Sequence, residues 1–303
     1  MHQKLKSAPI TCVITTYNNR STIRRAVDSV LSQTLPVSEI IIADDGSTDG
    51  SAEVIQRISS AHSIVLPLIR PKNLGVSANR DLAIRSASQP FITHLDGDDL
   101  FCSKKVYGEW LALSGRKNAV AYSFIGVVQP GSLMKSTILD PSATVTGDTS
   151  SIVRNLLFRN GPIPRDMMLS KALYELVGGF RHNIPLYEDW QFKILLASKG
   201  AVWSCSQQLG TLYMQMPFSL SRADSSVHIE WKKHVISSLG SVLTDNLSPE
   251  DIDALCSLNS SGSKLIKSQG FGLVQLCKQL GRKPGDIVKL FRYLPEIRRA
   301  MQL

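Results

Sequence analysis

Carboxylates crowd three short stretches of this chain: "ADDGSTDG" (Ala43–Gly50), "HLDGDD" (His94–Asp99) and "YEDWQF" (Tyr187–Phe192). Each has an ordinary use, since Asp, Asn, Gly and Ser build turns and acidic residues favour the first turn of a helix. Asp96, Asp98 and Asp99 nevertheless exceed what a turn requires, because like charges so close repel unless a cation or hydrogen-bond donors satisfy them. On an extended chain, side chains two apart point the same way, so Asp96 and Asp98 can face one ligand. Gly97 between them permits close backbone approach. Hard carboxylate oxygens suit Mg²⁺ or Mn²⁺, which keep several waters and complete their shell with substrate phosphates. The chemistry expected of Asp96 and Asp98 is a divalent metal carrying a nucleotide diphosphate.

The elements that must position these groups come in short alternating units. "ITCVITTY" (Ile10–Tyr17) reads as a strand, and "STIRRAVDSVLSQ" as a helix with Ser21 as its N-cap. "SEIIIADD" is a continuous apolar strand, "SAEVIQRISS" a helix, and "HSIVLPLIR" a strand that Pro67 places at a sheet edge or bulge. A helix over 75–87 precedes the strand "PFITHLDGDD". Strand–helix repeats of this length predict an α/β fold with a mainly parallel sheet between helices. Ligands of such sheets bind beyond the carboxyl ends of the strands, and three strand ends here carry "TTYNN", "ADDGSTDG" and "LDGDD". Further on, "AYSFIGVVQPG" reads as a strand and "SSIVRNLLFRN" as a helix. "EDWQFKILLASKG" reads as a helix closed by Gly200, and "AVWSCSQQLGTLYMQM" as two strands. The expected layout is an α/β domain over 1–224 and a helical region over 225–303.

With 303 residues, 43% apolar and 19% charged, the chain has the make-up of a globular protein and no apolar run long enough to span a bilayer. Its opening stretch reads as a strand rather than a secretion signal. Five scattered cysteines without a C-x-x-C pair fit reduced thiols in a cytoplasmic protein, and no zinc site is expected. The formal charge is +9, and 264–303 hold nine basic against two acidic side chains. That basic, apolar-interleaved segment fits either peripheral contact with an anionic membrane face or a packed helical cap or dimer contact. Nucleic acid is not an expected partner, because no recognised binding motif accompanies the charge. A sugar-nucleotide synthase or a nicotinamide dehydrogenase would need a glycine-rich loop after the first strand, and "TTYNNRST" has no glycine.

The ordered set "VITTYNN", "EIIIADDGSTDGS", "NLGVSANRDLAI", "ITHLDGDD", "VGGF" and "YEDWQFKILLASKG" resembles glycosyltransferase family 2, of the GT-A fold, over about 8–222. The resemblance implies a GT-A-type mixed, mainly parallel sheet and an inverting, metal-dependent transfer. The sugar would pass from a nucleotide-diphosphate sugar, a UDP-sugar in the first instance, to a hydroxyl of a glycan or lipid-linked acceptor, with a surface polysaccharide or glycolipid as typical product. It implies that Thr16, Tyr17, Asp44, Asp45, Arg80 and Asp96 bind the nucleotide-sugar, with Asp44 favoured over Asp45 as the acidic group facing the base. Asp98, with Asp96, would hold Mn²⁺ or Mg²⁺. Asp189 would be the catalytic base, with Glu188 beside it, and Trp190 is placed either to stack on an acceptor sugar or in the core. Two departures stand out. Asp81 replaces an amide of the family pattern, and Met216 stands where many relatives carry a histidine near the diphosphate; Ser219, Ser221 or the distant His228 are the substitutes at hand. The alternative is a homologue that binds nucleotide-sugar or glycan without turnover.

Overall fold

The computed structural model describes residues 7–129, 132–184, 186–215, 225–261, 293 and 295–302. The first half alternates as expected: β1 (Ala8–Thr16), α1 (Ile23–Leu31), β2 (Val37–Asp44), α2 (Ser51–Ala61), β3 (Val65–Ile69), α3 (Val76–Ser86), β4 (Phe91–Asp96) and β5 (Leu100–Phe101). There follow α4 (Lys105–Leu113), β6 (Ala119–Gln129), β7 (Ser132–Leu139), α5 (Thr149–Phe158), β8 (Met168–Ser170), α6 (Lys171–Leu176), α7 (Glu188–Ser198) and β9 (Val202–Met214). Helices α8 (Ser225–Ser238), α9 (Ser241–Asn246) and α10 (Pro249–Ser261) close the main part.

Among the described residues, nine strands form one mixed sheet in the order β3-β2-β1-β4-β8-β6-β9-β5, with β7 paired to β6. Strands β1 to β4 are mutually parallel, and β8 runs antiparallel to both β4 and β6. β3 lies at the edge, where Pro67 costs no interior hydrogen bond. β1 is covered on both faces, and alternation divides its side chains. Ile10, Cys12 and Ile14 pack with α1 and α2, while Val13 packs with α3, α5 and α7. The second of these layers also takes Val235, Leu239, Leu247 and Leu255, so the described part of the helical region shares a core with the α/β layer.

Two expectations are corrected, one strand is added, and one open alternative is narrowed. The N-cap position of α1 is Thr22, not Ser21, and no side chain caps that helix. β9 is one strand rather than two; a positive φ of 56° at Gln207 and register shifts against β6 interrupt it without breaking it. β7 lies in a stretch of mixed polarity that carries no clear period-two signal. Tyr293, Ile297 and Ala300 pack against Leu100, Phe124 and Leu212, so this piece of the basic C-terminal segment caps the sheet. The remainder of that segment lies outside the described residues.

Candidate active site

The connections from β1 and into β4 leave the sheet in opposite directions, which makes the carboxyl ends of these two strands the switch point where α/β sheets bind ligands. Register places the expected residues in one row: Asp44 beside Thr16, and Thr15 beside Asp96. Tyr17 follows with 48% of its surface exposed. Asp44 and Asp45 are both buried, and both hold loops. Asp44 accepts from the Ser47 N–H at 3.0 Å and from the Ser47 hydroxyl. Asp45 accepts from the N–H groups of Leu74 (2.8 Å) and Gly75 (2.9 Å), which fixes the entry to α3; burial raises its pKa against these donors. The turn after β4 is pressed onto β1: the Gly97 N–H donates to Thr15 O at 2.8 Å, and a Cβ at Gly97 would come within 2.8 Å of Thr16 Oγ1. That hydroxyl is buried without a hydrogen-bond partner among the described residues, a polar atom left over at the switch point.

The question posed by three crowded aspartates has a different answer for each. Asp96 accepts from Arg80 Nη2 at 2.5 Å, from Arg165 Nη2 at 3.2 Å and from Thr15 Oγ1 at 3.2 Å. Asp99 is fully buried, accepting from Arg165 Nη2 at 2.7 Å and from the Met214 N–H at 2.9 Å, so it ties the end of β9 to the turn. Asp98 makes no ion pair among the described residues and no side-chain hydrogen bond beyond its own backbone, though the Arg165 charge acts on it from a distance. Burial, and then the Asp96 charge, push its pKa up to about 6. Among the described residues no group of three or more His, Cys, Asp or Glu is placed to hold a metal ion. One unclaimed carboxylate beside a second still fits Mg²⁺ or Mn²⁺, whose remaining positions are taken by water and phosphate oxygens.

Arg80 is the hinge of the site. Buried in α3, it donates from Nη2 to Asp96 and from Nη1 to Glu188 Oε1 at 2.7 Å, and its guanidinium lies 5.4 Å from the Phe180 ring. Phe180 belongs to "VGGF", and that loop is clasped to α3 through Asp81. The Asp81 carboxylate accepts from Tyr174 Oη (2.6 Å) and Arg85 Nε (2.9 Å), and lies 2.9 Å from His182 Nε2. The aspartate that departs from the family pattern is therefore the hub that fixes Arg80's helix. Burial acts to raise its pKa, but these partners hold it lowered.

Helix α7 brings the second acidic pair. Tyr187 precedes it with a φ of 70°, a left-handed conformation costly for a bulky residue, and its hydroxyl lies 2.9 Å from His228 Nδ1 on α8. Glu188 turns inward to Arg80; burial lifts its pKa to about 7, Arg80 opposing and the neighbouring Asp189 assisting. Asp189 keeps 44% of its side chain exposed and pairs with Lys193 one turn on, at 2.5 Å. Partial burial works to raise its pKa, yet Lys193, with Arg80 and Arg165 beyond, holds it well below the usual carboxylate range. Trp190 is a core residue whose Nε1 donates to Leu156 O at 2.7 Å, which removes it as a stacking platform. His228 serves Tyr187 rather than the strand ends. Met216, Ser219 and Ser221 lie outside the described residues.

Arg165 and Lys193 were not foreseen. Arg165 sits in "GPIPRD", irregular backbone with no period to read, and its partners are 66 and 69 positions distant. Lys193 was legible in principle, four residues after Asp189 on a predicted helix, the spacing of an ion pair.

Residues 11–157 match the family model described as Glycosyl transferase family 2. An uncharacterized glycosyltransferase of Rickettsia felis is 36% identical over 208 residues, 68% of this chain and 33% of its own. An Escherichia coli protein described as UDP-Glc:alpha-D-GlcNAc-diphosphoundecaprenol beta-1,3-glucosyltransferase is 32% identical over 114 residues, 38% of this chain and 45% of its own. The matches thus span less than half the length of either relative. Among solved structures, S. aureus TarS 1-349 in complex with UDP-GlcNAc superposes with a TM-score of 0.63 at 16% identity, covering 96% of this chain and 79% of that one. At that identity the likeness establishes the shared fold.

Proposed function

This chain belongs to glycosyltransferase family 2, and from that premise we propose that it transfers a sugar, with inversion, from a UDP-sugar to a hydroxyl of a glycan or lipid-linked acceptor in surface polysaccharide synthesis. The observation that carries the reading is the double bridge of Arg80, which links Asp96 at the switch point to Glu188 at the start of α7. One guanidinium thereby sets the spacing between a donor end and a candidate base. The uridine donor is supported by the UDP-glucose named for the E. coli relative and the UDP-GlcNAc bound by TarS. The glycan acceptor is supported by a further relative, from Bacillus subtilis, described as a putative teichuronic acid biosynthesis glycosyltransferase.

In this reading Tyr17 and the row Thr16–Asp44–Asp45 receive the nucleoside, and Asp96 is held ready for the ribose by Arg80 and Arg165. Asp189 takes the proton of the acceptor hydroxyl as that oxygen bonds to the anomeric carbon, and the breaking carbon–oxygen bond leaves its electron pair on UDP. Lys193 keeps Asp189 ionised and oriented, while Glu188, engaged with Arg80, acts as a positioning residue. Mn²⁺ or Mg²⁺ held through Asp98 with Asp96 would supply Lewis-acid stabilisation to the departing diphosphate. No helix of the described residues is long and apolar enough to cross a membrane. The basic C-terminal segment, beyond the piece that packs on the sheet, would offer peripheral contact with a membrane carrying a lipid-linked acceptor. UDP release from a panel of UDP-sugars tests the assignment. Asp189→Asn should lose turnover by at least about 10²-fold while UDP affinity stays unchanged; full activity in that variant removes Asp189 from the role.

A further inference from the structure

We propose that Arg159 and Lys232 form an anion site beside α7 that takes a phosphate group carried by the acceptor. This rests on the glycosyl-transfer reading only for the word acceptor; the site itself rests on geometry.

Lys232 lies on α8 with 5% of its surface exposed, and its ammonium is buried without a hydrogen-bond partner among the described residues. A buried ammonium costs several kcal/mol unless paired, so charged side chains in such places are normally matched by a carboxylate. Here the group beside it is another cation. Burial, and then the charge of Arg159, push the Lys232 pKa down to about 8. Lys232 Nζ stands 5.4 Å from the centre of the Tyr187 ring, and the Arg159 guanidinium stands 5.8 Å from the same ring and 6.0 Å from that of Trp190. Arg159 is held there by a left-handed turn, φ 51°, at the end of α5. A ring's face attracts one cation weakly and does not neutralise two. Neither cation has a carboxylate partner among the described residues.

The placement argues for a ligand rather than an accident of packing. Tyr187 is the N-cap position of the 11-residue α7, whose N-terminal N–H groups favour negative charge. Asp189, two positions after Tyr187, is already compensated by Lys193 on the same helix. The donor end is reached from Glu188 through Arg80, whereas Arg159 and Lys232 gather on the Tyr187 and Trp190 rings. The phosphate they fit is therefore one brought by the acceptor, either a polyol phosphate or the phosphate of a prenyl carrier. Its two negative charges would satisfy both cations at once. The Tyr187–His228 contact fixes α8, and hence Lys232, against the site.

The test uses the full chain saturated with UDP and Mg²⁺, so that the donor site is filled. Glycerol 3-phosphate is titrated in one arm, with glycerol as the neutral control. Phosphatidylcholine vesicles with and without a prenyl phosphate form the other. Wild type should bind the phosphate in at least one arm, which identifies its source. Lys232→Met should weaken that binding about tenfold or more, as should Arg159→Met, with UDP affinity unchanged. Because Lys232→Met removes an unpaired buried charge, it should melt no lower than wild type in the absence of ligand. Equal phosphate binding by both variants, no phosphate binding by wild type, or a lower melting temperature for Lys232→Met overturns the site. If UDP fails to bind, the glycosyl-transfer reading falls, and the same titrations without UDP still decide the anion site.

Discussion

Arg80 and Glu188 stand 108 positions apart in the sequence and meet at 2.7 Å, Nη1 to Oε1, inside the protein. Because the other guanidinium nitrogen holds Asp96, any displacement of α7 is felt at the end of β4. Arg80→Lys keeps the charge but loses the planar fork that reaches both carboxylates. Asp96 is also held by Arg165, so the acid left unpaired is the buried Glu188, a loss of about 3–5 kcal/mol. The variant should melt several degrees lower and bind UDP more weakly; unaltered stability and affinity in calorimetry would show that the bridge positions nothing.

Glu188 gives the fold a pH dependence of definite sign. Burial raises it from the ordinary 4.5 to about 7 in the native protein. Between those values the native state holds a proton that the unfolded chain has released. The stability contributed is full below the lower value and is lost as pH rises through the upper one. Thermal unfolding across pH 4.5–7 should therefore show a decline that Glu188→Gln reduces. Parallel profiles for the two proteins would contradict the assignment.

The clasp on Asp81 predicts an intolerant glycine. Gly179 has a φ of 71°, and a Cβ there would reach Tyr174 Cε1 at 2.8 Å, Arg85 Nη2 at 2.9 Å and the Asp81 carboxylate itself. Gly179→Ala combines left-handed strain with overpacking, together about 2–5 kcal/mol. Urea unfolding should show that loss. Since Asp81 adjoins Arg80, a fall in UDP affinity should accompany it.

How far the sequence could be read follows from the range of each signal. The alternation from β1 to β4 and its strand-end carboxylates were legible because strand and helix periods are local. The distinct fates of Asp96, Asp98 and Asp99 were not, because the partners that separate them, Arg80, Arg165 and the Met214 N–H, arrive from other elements. Trp190 shows the same limit: its spacing served a core position and a sugar platform equally, and only the Leu156 carbonyl decides. Arg165 had no local signature at all. Its role is made by the turn after α5 and the end of β9 closing over β4.

Most direct for the central claim is a calorimetric titration of UDP into the full chain with and without Mn²⁺, repeated on Asp98→Asn. The account predicts saturable binding that Mn²⁺ strengthens in wild type but not in Asp98→Asn, since Asp98 makes no ion pair among the described residues. Absence of UDP binding under both conditions would contradict it.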